Sequence, residues 1–389
     1  MRGDDDHIPG YRFVIITLDN HVAGPAARVS DRLCAEFPGL RVSIHAAAEW
    51  AENPDALEEA RIAVKHGDII VTNLLFIEEH INAILPDLKA RRDQCDAMIG
   101  VISAKEVVQQ TRMGELDMQK PASGPMKLLK KLRGSKEPSA NSGEKQMKLL
   151  RRLPKILKFI PGKAQDLRAW FLTMQYWLGG SDDNVEQMIR FLVGRYASDA
   201  AFRGAEAAAP IDYPEVGLYH PDLPGHHITT DAADLPQPEN PIATVGLLMM
   251  RSYVLASDTA HYDAVIRQMQ EAGLAVLPAF AGGLDARPAI AEYFSDGRID
   301  ILVSLTGFSL IGGPAYNDSN AAVEVLGDLD VPMIGAHAIE FQTLGQWAAS
   351  PQGLGPIETT MLVALPELDG AINPTVFGGR VGKDASAGI

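Results

Sequence analysis

Two acidic residues near the end of the chain have the side-chain type and spacing to act on a bound ligand. Glu367 and Asp369 lie two residues apart in PELDGAINPTVFGGR, which runs from 366 to 380. The stretch is rich in Pro, Gly and Asn, and it shows no helical period. Carboxylates can accept protons or bind cations, so we expect this turn-rich loop to touch a ligand.

A second polar segment is GAHAIEFQTLGQW, from 335 to 347. His337 and Glu340 are three residues apart, so on a helical turn they would share a face. The pair can be half of a metal site, although a metal needs further ligands. It can equally be a capping or hydrogen-bonding pair at a helix start, which is the simpler interpretation.

A glycine-rich segment, SLTGFSLIGGPAYND, occupies 304 to 318. Gly312 and Gly313, followed by Pro314, can let backbone amides approach a ligand and form an anion-binding nest. The alternative is a tight turn between a strand and a helix. The sequence leaves both open.

A histidine-rich segment, YHPDLPGHHITT, runs from 219 to 230. Its imidazole and carboxylate groups can bind a cation, but they fit an exposed polar loop equally well because their spacing is not that of a known metal motif. They are His220, Asp222, His226 and His227.

Several common motifs are absent from the sequence. No GxGxxG follows the first predicted strand and no GxxxxGK[ST] occurs, so dinucleotide and P-loop nucleotide binding have no support. No GxSxG or HExxH occurs either.

The elements that must position these residues alternate between strand and helix. Predicted strands are 11–18, 40–47, 68–76, 96–103, 243–250, 273–281, 300–306 and 331–337, with helical patterns between them. The fold class is therefore α/β, with two doubly wound parallel-sheet units. In the first unit, Thr17 to His21 and Thr72 to Leu74 would lie at strand ends that face a ligand crevice.

The chain of 389 residues is long enough for two or three domains. We expect an N-terminal α/β domain (1–110), a basic flexible insertion (111–165), a helical pair (166–200), a Pro-rich connector (201–242) and a second α/β unit (243–389). Ser181 and the two aspartates after it should cap the second helix of the pair. The aromatic residues of the pair should pack in the core or at a domain interface.

Charge divides the chain into an acidic body and one basic segment. The net charge is −15, yet residues 120–168 hold fourteen Lys or Arg and three acids. An acidic body excludes general nucleic-acid binding. The amphipathic pieces within 120–165 fit either a peripheral contact with an anionic membrane or partner, or a solvated insertion packed on the acidic protein.

The polar N-terminus MRGDDDHIPG is not a signal peptide, and no apolar run reaches the ~18 residues of a membrane span, so we expect a cytoplasmic protein. Cys34 and Cys95 lack metal or redox spacing and are predicted to be buried thiols.

Several of these strings, taken together and in order, resemble the large porphyrin-binding (H) subunit of magnesium chelatase. They are YHPD (219–222), SLTGFSLIGGPA (304–315), IEFQTLGQW (339–347), PELDGAINPTVFGGR (366–380) and the opening block YRFVIITLDNHVAGPAARV. The cobalt-inserting relative has a similar ALPELDG segment and is more distant.

The resemblance implies a subunit that binds protoporphyrin IX and Mg²⁺ as substrates in (bacterio)chlorophyll biosynthesis. Two partner subunits would form the motor that hydrolyses ATP, which agrees with the absence of a P-loop here. Under this resemblance we assign Glu340, Glu367 and Asp369 to catalysis, and we assign substrate binding to His220, Gly312, Gly313, His337 and Gln342.

Family members are roughly three times longer than this chain. We therefore expect an N-terminal portion that holds one wall of the site, with 370–389 poorly ordered. The alternative is a stand-alone α/β ligand-binding or scaffold protein without chelatase activity.

Overall fold

The computed structural model describes residues 10–18, 23–50, 53–120, 153–154, 156–313 and 316–381. The chain forms two compact units, Met1–Asp212 and Tyr213–Ile389, and the boundary falls inside the segment predicted as a connector. Predictions for Asp19 to His21, for Pro314, for most of the basic insertion and for residues 382–389 concern positions outside this description.

The first unit alternates strands and helices before it adds a helical pair. Its strands are β1 (Tyr11–Thr17), β2 (Leu40–Ala46), β3 (Ile69–Asn73), β4 (Ala97–Val101), β5 (Arg112–Met113) and β6 (Leu116–Asp117). Its helices are α1 (Ala23–Glu36), α2 (Pro54–His66), α3 (Glu78–Arg91), α4 (Lys105–Val108), α5 (Lys163–Gly179) and α6 (Asp182–Tyr196), with a 3₁₀ turn at Ala47–Glu49.

The first sheet has the strand order β2-β1-β3-β4-β5-β6. Strands β1 to β4 are parallel, whereas the short β5 and β6 add an antiparallel edge. All five residues of β3, IIVTN, are buried because helices cover both faces of the sheet. The predicted doubly wound unit is confirmed.

The helical pair belongs to the first unit and packs on one face of its sheet. Phe171, Tyr176 and Trp177 are buried in the same cluster as Phe13 of β1, so the predicted core role of these aromatic residues is confirmed. The Ser181 side chain accepts a hydrogen bond from the amide of Asn184 at 3.2 Å, which confirms the predicted cap.

Helices α1 and α6 run parallel to each other. Arg28 contacts Asp182 at 2.6 Å, and Arg32 contacts Glu186 at 3.0 Å. The partners are 154 positions apart in both pairs, which shows that the two helices run in the same direction. Of the two cysteines, Cys95 is buried as predicted, whereas Cys34 is only half-buried, and neither is in a disulfide.

The second unit follows the same alternation. Its strands are β7 (Val216–Tyr219), β8 (Ile228–Thr229), β9 (Thr244–Met250), β10 (Ala275–Ala281), β11 (Ile301–Ser304), β12 (Gly312–Gly313), β13 (Tyr316–Asn317), β14 (Met333–Thr343) and β15 (Ile372–Arg380). Its helices are α7 (Arg251–Leu255), α8 (Ala260–Glu271), α9 (Arg287–Ala289, continuing as a π-helix over Ile290–Phe294), α10 (Ser319–Leu329) and α11 (Leu344–Ala349), with a 3₁₀ turn at Ala232–Asp234.

The last helix, α12, spans 356–369. It begins as Pro356–Glu358, widens to a π-helix over Thr359–Ala364 and ends as Leu365–Asp369. Glu367 and Asp369 are therefore helical, and the prediction of a turn-rich loop at this point is wrong. The π-helical turn ends at Ala364, two residues before Pro366, which has no amide hydrogen to donate to an ordinary helical turn.

The second sheet has the order β15-β14-β11-β9-β10-β7-β8. Its five strands from β15 to β10 are parallel, so this unit repeats the doubly wound arrangement of the first. The expectation of poor order from residue 370 is wrong over Ile372–Arg380, because β15 pairs with β14. Pro374 is tolerated there because β15 is an edge strand.

Candidate functional site

The candidate site lies at the carboxyl edge of the second sheet. The chain leaves β9 toward β10 on one side and leaves β11 toward β14 on the other, so the strand order changes direction between β9 and β11. Doubly wound sheets bind ligands at such a point.

Strand β14 projects beyond this edge. Its pairing with β11 stops where Ser304 meets Gly335, whereas its pairing with β15 continues as far as Thr343 and Arg380. Residues 336–343 of β14 and 375–380 of β15 thus form a two-stranded parallel extension, which we call the β14–β15 ribbon. His337, Glu340 and Gln342 all lie on it.

His337 is buried within the ribbon, with 2% of its surface exposed. Neither ring nitrogen has a hydrogen-bond partner. Burial lowers the pKa of His337 to about 4, so the ring is neutral at pH 7. Its Nε2 atom lies 3.1 Å from the point where a β-carbon on Gly335 would stand, so a larger residue at 335 would crowd the ring.

Glu340 is exposed and does not share a face with His337. The two residues are three apart on an extended strand, where side chains alternate between faces. The predicted helical turn at this point is therefore wrong. Gln342 is half-buried, and its Oε1 atom accepts a hydrogen bond from the amide of Gly355 at 2.7 Å.

Glu358, which was not predicted from the sequence, holds the ribbon by hydrogen bonds to two backbone amides of β14. It is 2% exposed, and its Oε1 atom accepts hydrogen bonds from the amides of Phe341 at 3.0 Å and Gln342 at 3.1 Å. Its Oε2 atom has no partner. Nothing in the local sequence GPIETT distinguishes this glutamate from a solvated residue at a helix start.

An aromatic group lies against the other face of the sheet. The His261 ring lies 3.9 Å from that of Tyr262, 5.6 Å from that of Tyr253 and 6.3 Å from that of Phe377, with which it is stacked. Burial raises the pKa of Tyr262, and the charge of Glu340 adds to this effect. Glu340 is therefore close enough for its charge to act on Tyr262. The sequence did not predict this group because Phe377 is distant in sequence from its other members.

Helix α12 holds two of the acids assigned to catalysis, in different surroundings. Glu367 is exposed. Asp369 is 1% exposed, and its Oδ2 atom accepts hydrogen bonds from the Ser309 hydroxyl at 2.8 Å and the Leu310 amide at 2.7 Å. Asp369 thus fixes the loop after β11, and its Oδ1 atom has no partner.

The glycine pair lies at the same edge. The Gly312 amide donates a hydrogen bond to the carbonyl of Leu284 at 2.6 Å, so it is not free to bind an anion in this conformation. Gly312 has φ +114°, and Gly312–Gly313 pairs antiparallel with Tyr316–Asn317. Of the two interpretations left open, the tight turn describes this backbone better.

His220 lies at the opposite edge of the sheet. Strand β7 is antiparallel to β10, so its end lies where the parallel strands begin. The buried ring accepts a hydrogen bond from the Asp222 amide at Nδ1, at 3.2 Å, and its Nε2 atom faces Gln270 Oε1 at 3.3 Å. The structure does not bring His220 to the ribbon, and its part in substrate binding stays a prediction.

The other members of the histidine-rich segment are also engaged. Asp222 contacts Arg267 at 3.1 Å, and the Nδ1 atom of His227 lies 2.6 Å from the carbonyl oxygen of Leu223. Within the described ranges, no cluster of three or more His, Cys, Asp or Glu could hold a metal ion. No helix there is long and apolar enough to cross a membrane.

Two protein families match the chain. Residues 12–171 match a domain of unknown function (DUF3479), and residues 174–388 match the family described as CobN/Magnesium Chelatase. The catalytic subunit of cobaltochelatase from Mycobacterium tuberculosis has a similar fold over 97% of this chain and 25% of its own, with a TM-score of 0.51 and 15% identity.

Curated relatives give the stronger match. The chain is 68% identical over 96% of its length to the magnesium-chelatase H subunit of Rhodobacter capsulatus, and 67% identical to that of Cereibacter sphaeroides. The CobN subunit of aerobic cobaltochelatase from Pseudomonas aeruginosa is 30% identical over 51% of the chain. The chain spans 31% of the length of the first two relatives. The chain belongs to the CobN/magnesium chelatase family.

Proposed function

We propose that this chain is the N-terminal part of the porphyrin-binding subunit of magnesium chelatase. The complete assembly would insert Mg²⁺ into protoporphyrin IX in (bacterio)chlorophyll biosynthesis, and two partner subunits would hydrolyse ATP. The observation that carries the proposal is the 68% identity over 96% of the chain to a magnesium-chelatase H subunit.

In this proposal, the carboxyl edge of the second sheet supplies one wall of the porphyrin site. Mg²⁺ replaces two pyrrole protons when it enters the ring, so the site needs a base for those protons and oxygen atoms for the ion. Glu340 is an exposed carboxylate on the ribbon, and Glu367 is an exposed carboxylate two residues before Asp369, which contacts the loop after β11, so each can serve either need. Because Mg²⁺ releases its water reluctantly, energy input from the partner subunits is expected.

The buried polar residues have a supporting part in the proposal. Asp369 and Glu358 fix backbone amides and so set the positions of the loop after β11 and of the ribbon. The half-buried Gln342 side chain lies on the same ribbon, where it can contact a planar ligand, whereas the buried His337 ring can do so only if the ribbon opens. The backbone of Gly312 and Gly313 lets that ligand come close to the edge.

A segment exchange tests the proposal. The part of the R. capsulatus protein that this chain matches is replaced by residues 1–389, and Mg²⁺ insertion into protoporphyrin IX is followed with the partner subunits and ATP. We expect the chimera to retain insertion. A folded chimera that does not insert Mg²⁺ would favour the alternative, a ligand-binding or scaffold protein that lacks chelatase activity.

A peripheral membrane contact is a second candidate function for the region around 120–165. Phe159 is 83% exposed and Ile156 is 55% exposed, and both lie in the basic part of the sequence. Exposed apolar side chains beside Lys and Arg fit an anionic lipid surface. The contact would keep the subunit close to a membrane without a spanning helix.

A further inference from the structure

The first unit contains several buried polar atoms with no hydrogen-bond partner near one edge of its sheet. Across the described part of this unit, five buried side-chain nitrogen or oxygen atoms lack a partner, and they belong to Thr17, Trp50, Asn73 and His80. Asn73 alone contributes two, its Nδ2 and Oδ1 atoms. Folded proteins leave few such groups unpaired, so several near one edge of a sheet need a cause.

All five atoms lie at the carboxyl edge of the first sheet. Thr17 ends β1 and Asn73 ends β3, Trp50 follows the turn after β2, and His80 is in the first turn of α3. Because Ile16 is in register with Thr72, the next residues, Thr17 and Asn73, stand side by side on one face. Trp50 and His80 pack against each other on the opposite face of the sheet. The strand order changes direction between β1 and β3, which is where sheets of this kind bind ligands.

The backbone around these residues is strained. Leu74 and Ile102 directly follow β3 and β4 and have φ of 55° and 42°, and the amide of Leu74 donates to the carbonyl of Ile102 at 2.9 Å. A positive φ is costly for a β-branched residue such as Ile102, and strain of this kind collects at ligand sites. Phe76 and Ile77, at the same edge, are 55% and 48% exposed.

The charge at this edge disfavours an anionic ligand. Residues 17–18, 46–50, 72–80 and 101–105 include three glutamates, Glu49, Glu78 and Glu79, and one cation, Lys105. A phosphate would meet a net negative charge on these segments. An uncharged ligand fits this surface better.

The side chain of Asn73 defines the hydrogen bonds that the ligand must make. A carboxamide presents a donor beside an acceptor and forms two parallel hydrogen bonds with a ring edge that carries the complementary pair. We propose that the carboxyl edge of the first sheet binds an uncharged planar heterocycle, of the nucleoside or riboflavin type, with Asn73 and Thr17 contacting its ring edge. Phe76, exposed at the same edge, offers an apolar surface for the ring.

Binding is tested on the full chain with riboflavin and with adenosine and guanosine as separate probes. Riboflavin is followed by quenching of its fluorescence and the nucleosides by calorimetry, so the two sources of the heterocycle are distinguished. We expect one of them to bind saturably. Flavin mononucleotide should bind more weakly than riboflavin, because its phosphate meets the three glutamates.

Two substitutions distinguish a ligand-binding role of the unpaired atoms from a purely structural one. Asn73→Leu should weaken binding at least tenfold (order of magnitude for losing paired hydrogen bonds to a ring edge) while leaving the Tm of the ligand-free protein unchanged or higher. Asn184→Leu is the matched control, because Asn184 is equally buried but hydrogen-bonded to both backbone groups of Ile211, at 2.9 and 3.1 Å, and its loss should lower Tm.

Two results would overturn the proposal. One is the absence of saturable binding of every probe up to about 1 mM. The other is binding that is unaffected in both Asn73→Leu and Thr17→Val, which would leave the unpaired atoms without a part in recognition.

Discussion

The Oδ2 atom of Asp369 accepts a hydrogen bond from the Ser309 hydroxyl at 2.8 Å, across sixty positions of sequence. The same oxygen atom accepts the amide of Leu310, so one buried carboxylate fixes both the loop after β11 and the end of α12. Its exposed neighbour Glu367 makes no comparable contact within the described residues. The two acids that the sequence grouped together therefore have different surroundings.

This difference predicts different effects on stability. Asp369→Ala should lower the free energy of unfolding by about 2 to 4 kcal/mol, because it leaves two buried donors without an acceptor. Glu367→Ala should change it little, since exposed positions contribute weakly. Urea denaturation of the two variants measures both effects, and equal losses would contradict the assigned roles.

The buried His337 ring predicts a pH dependence of stability. Its pKa in the folded state is about 4, below the ordinary value of 6.5, so the unfolded chain binds the proton more readily. Above pH 6.5 the ring is neutral in both the folded and the unfolded chain, so it does not reduce the free energy of unfolding. As the pH falls toward 4, protonation of the unfolded chain lowers that free energy, by about 2 kcal/mol at pH 5.

The His337 prediction is checked by comparing His337→Leu with the unsubstituted chain at pH 7.5 and pH 5. The leucine variant should lose less stability on acidification, because its side chain takes up no proton. The other buried histidines are the same in both proteins, so their contributions cancel. An identical pH dependence in the two proteins would argue against a buried, neutral ring.

Glu358 is predicted to hold the ribbon in place. Glu358→Ala removes the acceptor of the Phe341 and Gln342 amides, so their hydrogen exchange should accelerate by roughly tenfold or more. Glu358→Gln keeps an oxygen acceptor and should show a smaller effect. Exchange rates that do not change in the alanine variant would show that the ribbon is held by β15 alone.

The exposed apolar side chains near 156–160 predict lipid binding. The chain should float with vesicles that contain anionic lipid and should remain unbound with neutral vesicles, and added salt should weaken the contact. Phe159→Ser combined with Ile156→Ser should reduce flotation with anionic vesicles. Flotation that is unchanged in this variant would assign the basic region to the solvated alternative.

The central strands were predictable from sequence because strands buried on both faces read as continuous apolar runs, as FVII does in β1. The parallel order could also be inferred from the alternation of strands and helices. The identity of strand neighbours came only from the structure, since hydrogen-bonded register depends on packing between distant segments.

The site was harder to predict than the fold. Asn and Pro disfavour strands in general, so INPTVFGGR did not read as β15, yet an edge strand tolerates both residues. Glu358 and His261 carry no local signal, because their partners Phe341 and Phe377 are distant in sequence. His337 and Glu340 were found, but the extended backbone of β14 separates their faces.

The central claim, that the carboxyl edge of the second sheet contacts a porphyrin, is tested most directly by titrating the chain with deuteroporphyrin and following tryptophan fluorescence. Trp347 lies in α11, immediately after the ribbon, so it should account for the quenching, and Trp347→Phe should remove most of the signal. We predict saturable quenching that Glu340→Gln weakens. Quenching that does not saturate, or that persists unchanged in Trp347→Phe, would contradict the claim.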